Sequence, residues 1–271
     1  MMTRAIPSSG EKLPVIGMGT WQTFDVKPEE AAPLEPVLQA FVELGGKLLD
    51  SSPMYGKSEE VAGSMIGKFK LREKLFVATK VWTQGKDKGI EQMKASMDKL
   101  QAKPIDLMQV HNLVDVTEHL DTLRGWKKEG LVRYIGITHY TASQHEAVAK
   151  VLKAETVDFV QINYSIAERE AEKTLLPLAK ERGVAVIANR PFAGGELFKK
   201  LLASPLPDWA KEIDCTSWAQ LLLKFVVSHP AMTCAIPATN KIDHLRDNMK
   251  AGYGKMPDEE MRKKIGELAR V

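Results

Sequence analysis

The chain has 271 residues, 44% of them apolar and 27% charged, and 38 Lys and Arg against 35 Asp and Glu leave a formal net charge of +3. With a mean hydropathy of −0.22, this is an ordinary globular balance that excludes a disordered polymer, and no apolar run is long enough for a membrane span. So even a charge balance gives no ground for nucleic-acid binding, and the two cysteines, Cys215 and Cys234, show neither a CxxC nor a metal-ligand spacing.

Taken in order, residues 3–14 read as a short hairpin around Ser8-Ser9-Gly10 that would plug one end of a barrel. The start of the chain lacks the apolar core of a leader, so a cytoplasmic location is expected. Residues 15–21 read as a first core strand, with Gly17 and Gly19 where backbones come close. A helical pattern covers 29–44 and stops at Gly45-Gly46. There follow a strand at 47–50, a helix at 58–66, a turn at 70–74, a strand at 75–80 and a helix at 90–100, where Met93, Met97 and Leu100 repeat at helical spacing. Strands at 105–111, 132–138, 159–164, 184–189 and 233–236 alternate with helices at 119–128, 143–154, 168–181 and 217–227, and Asp258 caps a final helix reaching residue 268. Short apolar strands alternating with helices are parallel and buried on both faces. Eight such units in roughly 230 residues favour an α/β fold closed as a (β/α)8 TIM barrel with a short N-terminal β-hairpin over a doubly wound sheet. No linker divides the chain, so 1–271 reads as a single barrel domain.

Chemistry concentrates in the stretch Lys47-Leu48-Leu49-Asp50-Ser51-Ser52-Pro53-Met54-Tyr55-Gly56. An apolar run ends in Asp50, turns at Ser-Ser-Pro and presents Tyr55, while two later strands end at Lys80 and His111. Any one of these could be no more than a polar residue where a strand meets solvent. If the three strands are parallel neighbours, however, Asp50, Lys80 and His111 share one rim with Tyr55 above them. A cation there would favour phenolate and lower a tyrosine pKa from about 10. The carboxylate would anchor the lysine and the imidazole could orient a carbonyl oxygen, which describes a redox or enolisation site.

With Asp50, Tyr55, Lys80 and His111, the chain resembles the aldo-keto reductase superfamily, whose catalytic tetrad is Asp, Tyr, Lys and His in this order; the resemblance runs from Leu13 to Asn248. It implies NAD(P)H-dependent reduction of an aldehyde or ketone to an alcohol, with hydride from nicotinamide and the proton from Tyr55. It also implies a dinucleotide extended over the barrel mouth, near Asp50 and the rim residues Gly19, Thr20 and Trp21. Where the family holds the carboxamide with Ser-Asn and a Gln, this chain has Thr138-His139 and Gln161. Where it stacks an aromatic ring on nicotinamide, the chain departs with Asn189-Arg190-Pro191-Phe192. The family's adenosine-phosphate clamp corresponds to Ile236, Ala238, Thr239, Asn240, His244 and Asn248, with Ala238 and His244 replacing the Lys and Arg of NADPH-preferring relatives. NADP (NADPH) is therefore the implied cofactor, with NAD possible, in a monomer that takes a small carbonyl substrate and uses no metal, nucleic acid or membrane. Two alternatives stand beside it: a barrel lyase or isomerase using Lys80, and a catalytically weak nucleotide-binding subunit.

Overall fold

The computed structural model describes residues 1–270. An antiparallel hairpin of β1 (Thr3–Ala5) and β2 (Lys12–Pro14) precedes eight parallel strands: β3 (Met18–Gly19), β4 (Leu48–Asp50), β5 (Phe76–Val81), β6 (Ile105–His111), β7 (Val132–Thr138), β8 (Phe159–Asn163), β9 (Ala185–Asn189) and β10 (Cys234–Ala235). These pair in chain order, and parallel bridges from Ile16 to Ala235 and from Gly19 to Ala238 join the first barrel strand to the last. Between and after them come α1 (Glu35–Glu43), α2 (Ser58–Lys68), α3 (Lys86–Lys99), α4 (Val116–Lys128), α5 (His145–Ala154), α6 (Leu175–Glu181), α7 (Glu196–Leu201), α8 (Trp218–Ser228), α9 (Ile242–Lys250) and α10 (Glu259–Glu267). The fold is thus the (β/α)8 barrel with an N-terminal hairpin that the alternation of elements implies. No described helix is long and apolar enough to cross a membrane.

Strand side chains alternate between faces, which gives the barrel interior two levels. Phe76 and Ala78 of β5, Leu107 of β6, Tyr134 of β7 and Phe159 of β8 form one buried apolar cluster, closed by Ile6 and Leu13 of the hairpin region. Each large side chain so buried contributes about 1.5–3 kcal/mol relative to exposure. Two residues further along the same faces come Lys80, Gln109 and Gln161, all buried. Register sets their heights: Lys80 pairs with Gln109, and His111 with Thr138, which in turn pairs with Gln161. On β7 the corresponding position is Gly136, where a Cβ would come within 2.8 Å of the Phe159 carbonyl oxygen and 3.2 Å of Gln109 Cγ. Glycine there leaves room for the Gln109 side chain.

Several boundaries differ from the sequence expectation for identifiable reasons. The helix expected over 29–44 begins only at Glu35, because Pro28 and Pro33 sit in the first turns of two separate 3₁₀ segments and Pro36 opens α1. Proline lacks an N–H to donate within a helix, and Lys27 before Pro28 is held extended with ψ at 151°. The strand expected at 15–21 pairs regularly only over Met18–Gly19, and Trp21 lies in the turn beyond. The helix expected at 168–181 is divided at Thr174, where φ is −138°. Helices α8 and α10 start at side-chain caps, Ser217 accepting from the Gln220 N–H and Asp258 from the Met261 N–H. Lys224, fully buried within α8, donates to the carbonyl oxygens of Ile213 at 2.6 Å and Lys255 at 2.8 Å.

Candidate active site

Asp50 ends β4, Lys80 is the penultimate residue of β5 and His111 ends β6; the three strands are consecutive and parallel. The side chains of Lys80 and Asp50 are 0% and 2% exposed, with Nζ 2.6 Å from Oδ2. Lys80 also donates to the Ser51 carbonyl oxygen at 2.7 Å. On its other oxygen, Asp50 accepts from the Gln109 amide at 3.2 Å and the Gln161 amide at 2.9 Å. Desolvating such a pair costs several kcal/mol per ion, so its persistence depends on these further hydrogen bonds. The turn after β4, closed by the Tyr55 N–H on the Ser52 carbonyl oxygen at 3.0 Å, brings the Tyr55 ring centroid to 4.9 Å from Nζ.

Protonation follows from these contacts. Burial works to lower the Lys80 pKa, but the Asp50 carboxylate and then Tyr55 outweigh it, so the amine is held as ammonium. For Tyr55, burial is the largest influence and raises the phenol above its ordinary value; Lys80 opposes and Asp50 reinforces the rise. The expected lowering is therefore corrected in sign: much of the lysine charge is offset by Asp50 at 2.6 Å, and Tyr55 carries its proton at neutral pH. Burial, followed by the nearby Lys80 and His139, pushes His111 down to about 2, so its imidazole is neutral. The His111 ring meets Tyr55 edge-on at 6.0 Å, and its Nδ1 lies 3.1 Å from Ser52 Oγ.

A cavity of about 580 Å³ is lined by Asp50, Tyr55 and His111 together with Gly19, Thr20, Trp21, Thr138, Gln161, Asn189, Arg190, Pro191, Phe192, Ile236 and Ala238. Trp21, Met54 and Trp82, each two-fifths exposed, form part of its wall. His139 is not part of the lining: its ring stacks on Tyr140 at 5.5 Å. The N–H groups of Tyr140 and Thr141 donate to His139 Nδ1, which leaves its neutral-state proton on Nε2. Thr239, Asn240, His244 and Asn248 also stand outside the cavity; Thr239 Oγ1 accepts from the Lys241 N–H at the start of α9, Asn240 and His244 are exposed, and Asn248 is buried. Asn163, which shares the face of Gln161, is sealed off and bonded to His145 Nε2 at 2.8 Å.

Sequence reasoning missed Gln109, although its position between Leu107 and His111 marks it as inward-facing, and it also missed Ser52, Asn112 and Tyr140. Left-handed backbone occurs at Asn112 and Leu113 just after His111, and at Arg190 and Ala193 just after Asn189. L residues rarely adopt that conformation, and here it falls where strands pass into the loops around the mouth. Asn189 Oδ1 is buried without a hydrogen-bond partner, and the Thr138 hydroxyl has none among the described residues. Both residues line the cavity beside Gln161. An unused acceptor and an unused donor in this position fit a carboxamide, and hence the nicotinamide end of a dinucleotide.

The profile of the Aldo/keto reductase family matches residues 15–266, and the chain belongs to that family. It is 30% identical over 260 residues to methylglyoxal reductase YeaE of Escherichia coli K12, with 92% of this chain and 89% of that protein covered. It is 26% identical over 302 residues to the NADP-dependent D-sorbitol-6-phosphate dehydrogenase of Malus domestica, covering 96% of this chain and 92% of that protein. A solved aldo-keto reductase from Klebsiella pneumoniae in complex with NADPH matches with a TM-score of 0.82 at 25% identity, covering 100% of this chain and 95% of that one.

Proposed function

We propose that Tyr55, Lys80, Asp50 and His111 carry NAD(P)H-dependent reduction of a carbonyl to an alcohol, with Tyr55 as proton donor. The observation that carries this reading is the sealed Lys80–Asp50 pair beneath a protonated Tyr55, which shares one cavity with a neutral His111. The chain is an NAD(P)H-dependent oxidoreductase of carbonyl substrates, in keeping with its family and with relatives named as NADP-dependent or solved with NADPH.

A reduced nicotinamide, when bound, supplies hydride to the carbonyl carbon. Thr138, Gln161 and Asn189 would hold its carboxamide, and the stretch from Pro237 to Asn248 its adenosine-phosphate end. As negative charge builds on the carbonyl oxygen, Tyr55 gives it a proton, and the Lys80 ammonium stabilises the phenolate left behind. Asp50 holds Lys80 in place and charged, anchored in turn by Gln109 and Gln161. Neutral His111 directs the same oxygen without adding a charge that would compete with Lys80. Positioned acid catalysis of this kind contributes roughly 10²–10⁴-fold. Trp21, Met54 and Trp82 supply an apolar wall for the substrate's remaining bulk. A Schiff-base role for Lys80 is disfavoured, because a nucleophilic amine must be free and neutral, whereas this one is sealed and held as ammonium.

We take the chain to be a monomeric, single-domain enzyme of the cytoplasm; the buried, unpaired Cys215 and Cys234 are consistent with a reducing compartment. The deciding experiment follows reduced-nicotinamide absorbance with a panel of aldehydes and ketones, using NADPH and NADH separately. Turnover that requires both a carbonyl and Tyr55 supports the reading, and no oxidation of either nucleotide by any carbonyl in the panel sinks it.

A further inference from the structure

Ser52 is fully buried in the Ser-Ser-Pro turn and touches the site without reaching the cavity. Its Oγ accepts from the Met54 N–H at 3.3 Å, a local turn that the intervening Pro53 favours by presetting its own φ. Its other side-chain contact is His111 Nδ1 at 3.1 Å.

We propose that Ser52 is a positioning residue that sets the tautomer of His111, keeping the imidazole proton on Nε2 so that the ring donates into the cavity. A serine hydroxyl has one proton to give and two lone pairs to accept with. When Oγ–H donates to Nδ1, the Met54 N–H, the hydroxyl proton and Nδ1 are all satisfied, and the proton of the neutral ring stays on Nε2. In the opposite arrangement Nδ1–H points at Oγ, and the hydroxyl proton has no acceptor among the described residues. An unpartnered buried donor disfavours that arrangement by about tenfold or more.

The tautomer matters because His111 cannot become a donor by charging. Its imidazole stays neutral down to about 2, so only an Nε2–H tautomer can offer a hydrogen bond to a carbonyl oxygen. With the proton on Nδ1, the Nε2 lone pair would face that oxygen and repel it. The catalytic consequence rests on the carbonyl-reductase reading above; the tautomer does not.

The test uses the whole chain labelled with ¹⁵N-histidine, with two-bond ¹H–¹⁵N correlations at neutral pH and His111 assigned by its loss in His111→Gln. Wild type should show Nε2–H at His111, Ser52→Ala a mixture or Nδ1–H, and Ser52→Thr, which keeps a hydroxyl, the wild-type pattern. In parallel, Ser52→Ala should lower kcat for carbonyl reduction roughly tenfold at unchanged NADPH affinity, with rescue in Ser52→Thr. An Nδ1–H tautomer in wild type overturns the proposal, and that measurement stands even if Ser52→Ala fails to fold. An unchanged tautomer in folded Ser52→Ala, or a changed one with full kcat, overturns it as well. A tautomer that changes as expected in a protein that reduces no carbonyl upholds the Ser52–His111 link and removes the reductase reading instead.

Discussion

Lys80 Nζ lies 2.6 Å from Asp50 Oδ2 with neither side chain more than 2% exposed, and the far oxygen of Asp50 is held by the amides of Gln109 and Gln161. The pair is thus a buried ion pair in which the Asp50 carboxylate keeps Lys80 protonated against burial. Lys80→Met should destabilise the fold by about 3–5 kcal/mol, because it strands a carboxylate. Adding Asp50→Asn removes the stranded charge, so the double variant should be more stable than the sum of the single losses predicts. Urea unfolding of the four proteins in this cycle measures the coupling, and strictly additive losses would show that the two charges do not support one another.

Tyr55→Phe should keep NADPH binding and lower carbonyl reduction by at least about 10²-fold. The hydroxyl is the only group this change removes, and the ring's contacts with Lys80 and His111 remain available. Steady-state rates alongside an NADPH titration check it, and near-normal turnover would assign the proton to another group.

Asp50, Lys80 and His111 were legible because each closes or nearly closes an apolar run, and parallel strands of a barrel bring such ends to one rim. Gln109 was not, since a glutamine within an apolar strand acquires meaning only through register, here its pairing with Lys80. The sign of the Tyr55 shift was also hidden: the sequence displays the cation but not the burial that outweighs it. His139 matched the carboxamide pair by position, yet its own backbone neighbours occupy its Nδ1 and its ring packs on Tyr140. Helix boundaries failed where prolines interrupt an otherwise helical pattern, as at Pro33 and Pro36.

Cofactor preference should favour NADPH over NADH, but by less than about 10³-fold, roughly 4 kcal/mol. At the positions that resemble the phosphate clamp the chain offers Ala238 and an exposed His244, neither a permanent cation. His244→Arg should widen the preference by about tenfold, the scale of one charge-assisted hydrogen bond. Paired dissociation constants for the two nucleotides test both statements, and a wild-type preference above that bound would point to a phosphate contact elsewhere on the chain.

Acid sensitivity has a direction fixed by His111. In the folded protein its imidazole titrates at about 2, against 6.5 when unperturbed, so below pH 6.5 the unfolded chain binds a proton that the folded chain refuses. Stability from the neutral ring is complete above that pH and is lost as pH falls from 6.5 toward 2. Between neutrality and about pH 4.5 the loss should reach about 2.5 kcal/mol, and His229, lowered to about 4 chiefly by burial, acts in the same direction. Urea midpoints across this range should fall more steeply for wild type than for His111→Gln, and parallel slopes would mean that His111 already takes up its proton in the folded state.

Lys80 is the largest influence holding the Tyr55 phenol down against burial, so the pH profile of the reverse reaction should report on it. In alcohol oxidation Tyr55 must first lose its proton, and the rate rises through its pKa. Lys80→Met leaves burial and the Asp50 charge acting in the same direction, both raising the phenol, so the alkaline limb should move to higher pH while the maximal rate falls. Asp50→Asn/Lys80→Met removes the carboxylate's push as well, and its limb should lie between those of wild type and the single variant. The profiles are compared at a temperature where circular dichroism shows each protein folded. A folded Lys80→Met enzyme with an unchanged limb would mean that the ammonium 4.9 Å from the ring centroid does not govern the phenol's proton, leaving the lysine as a structural partner of Asp50.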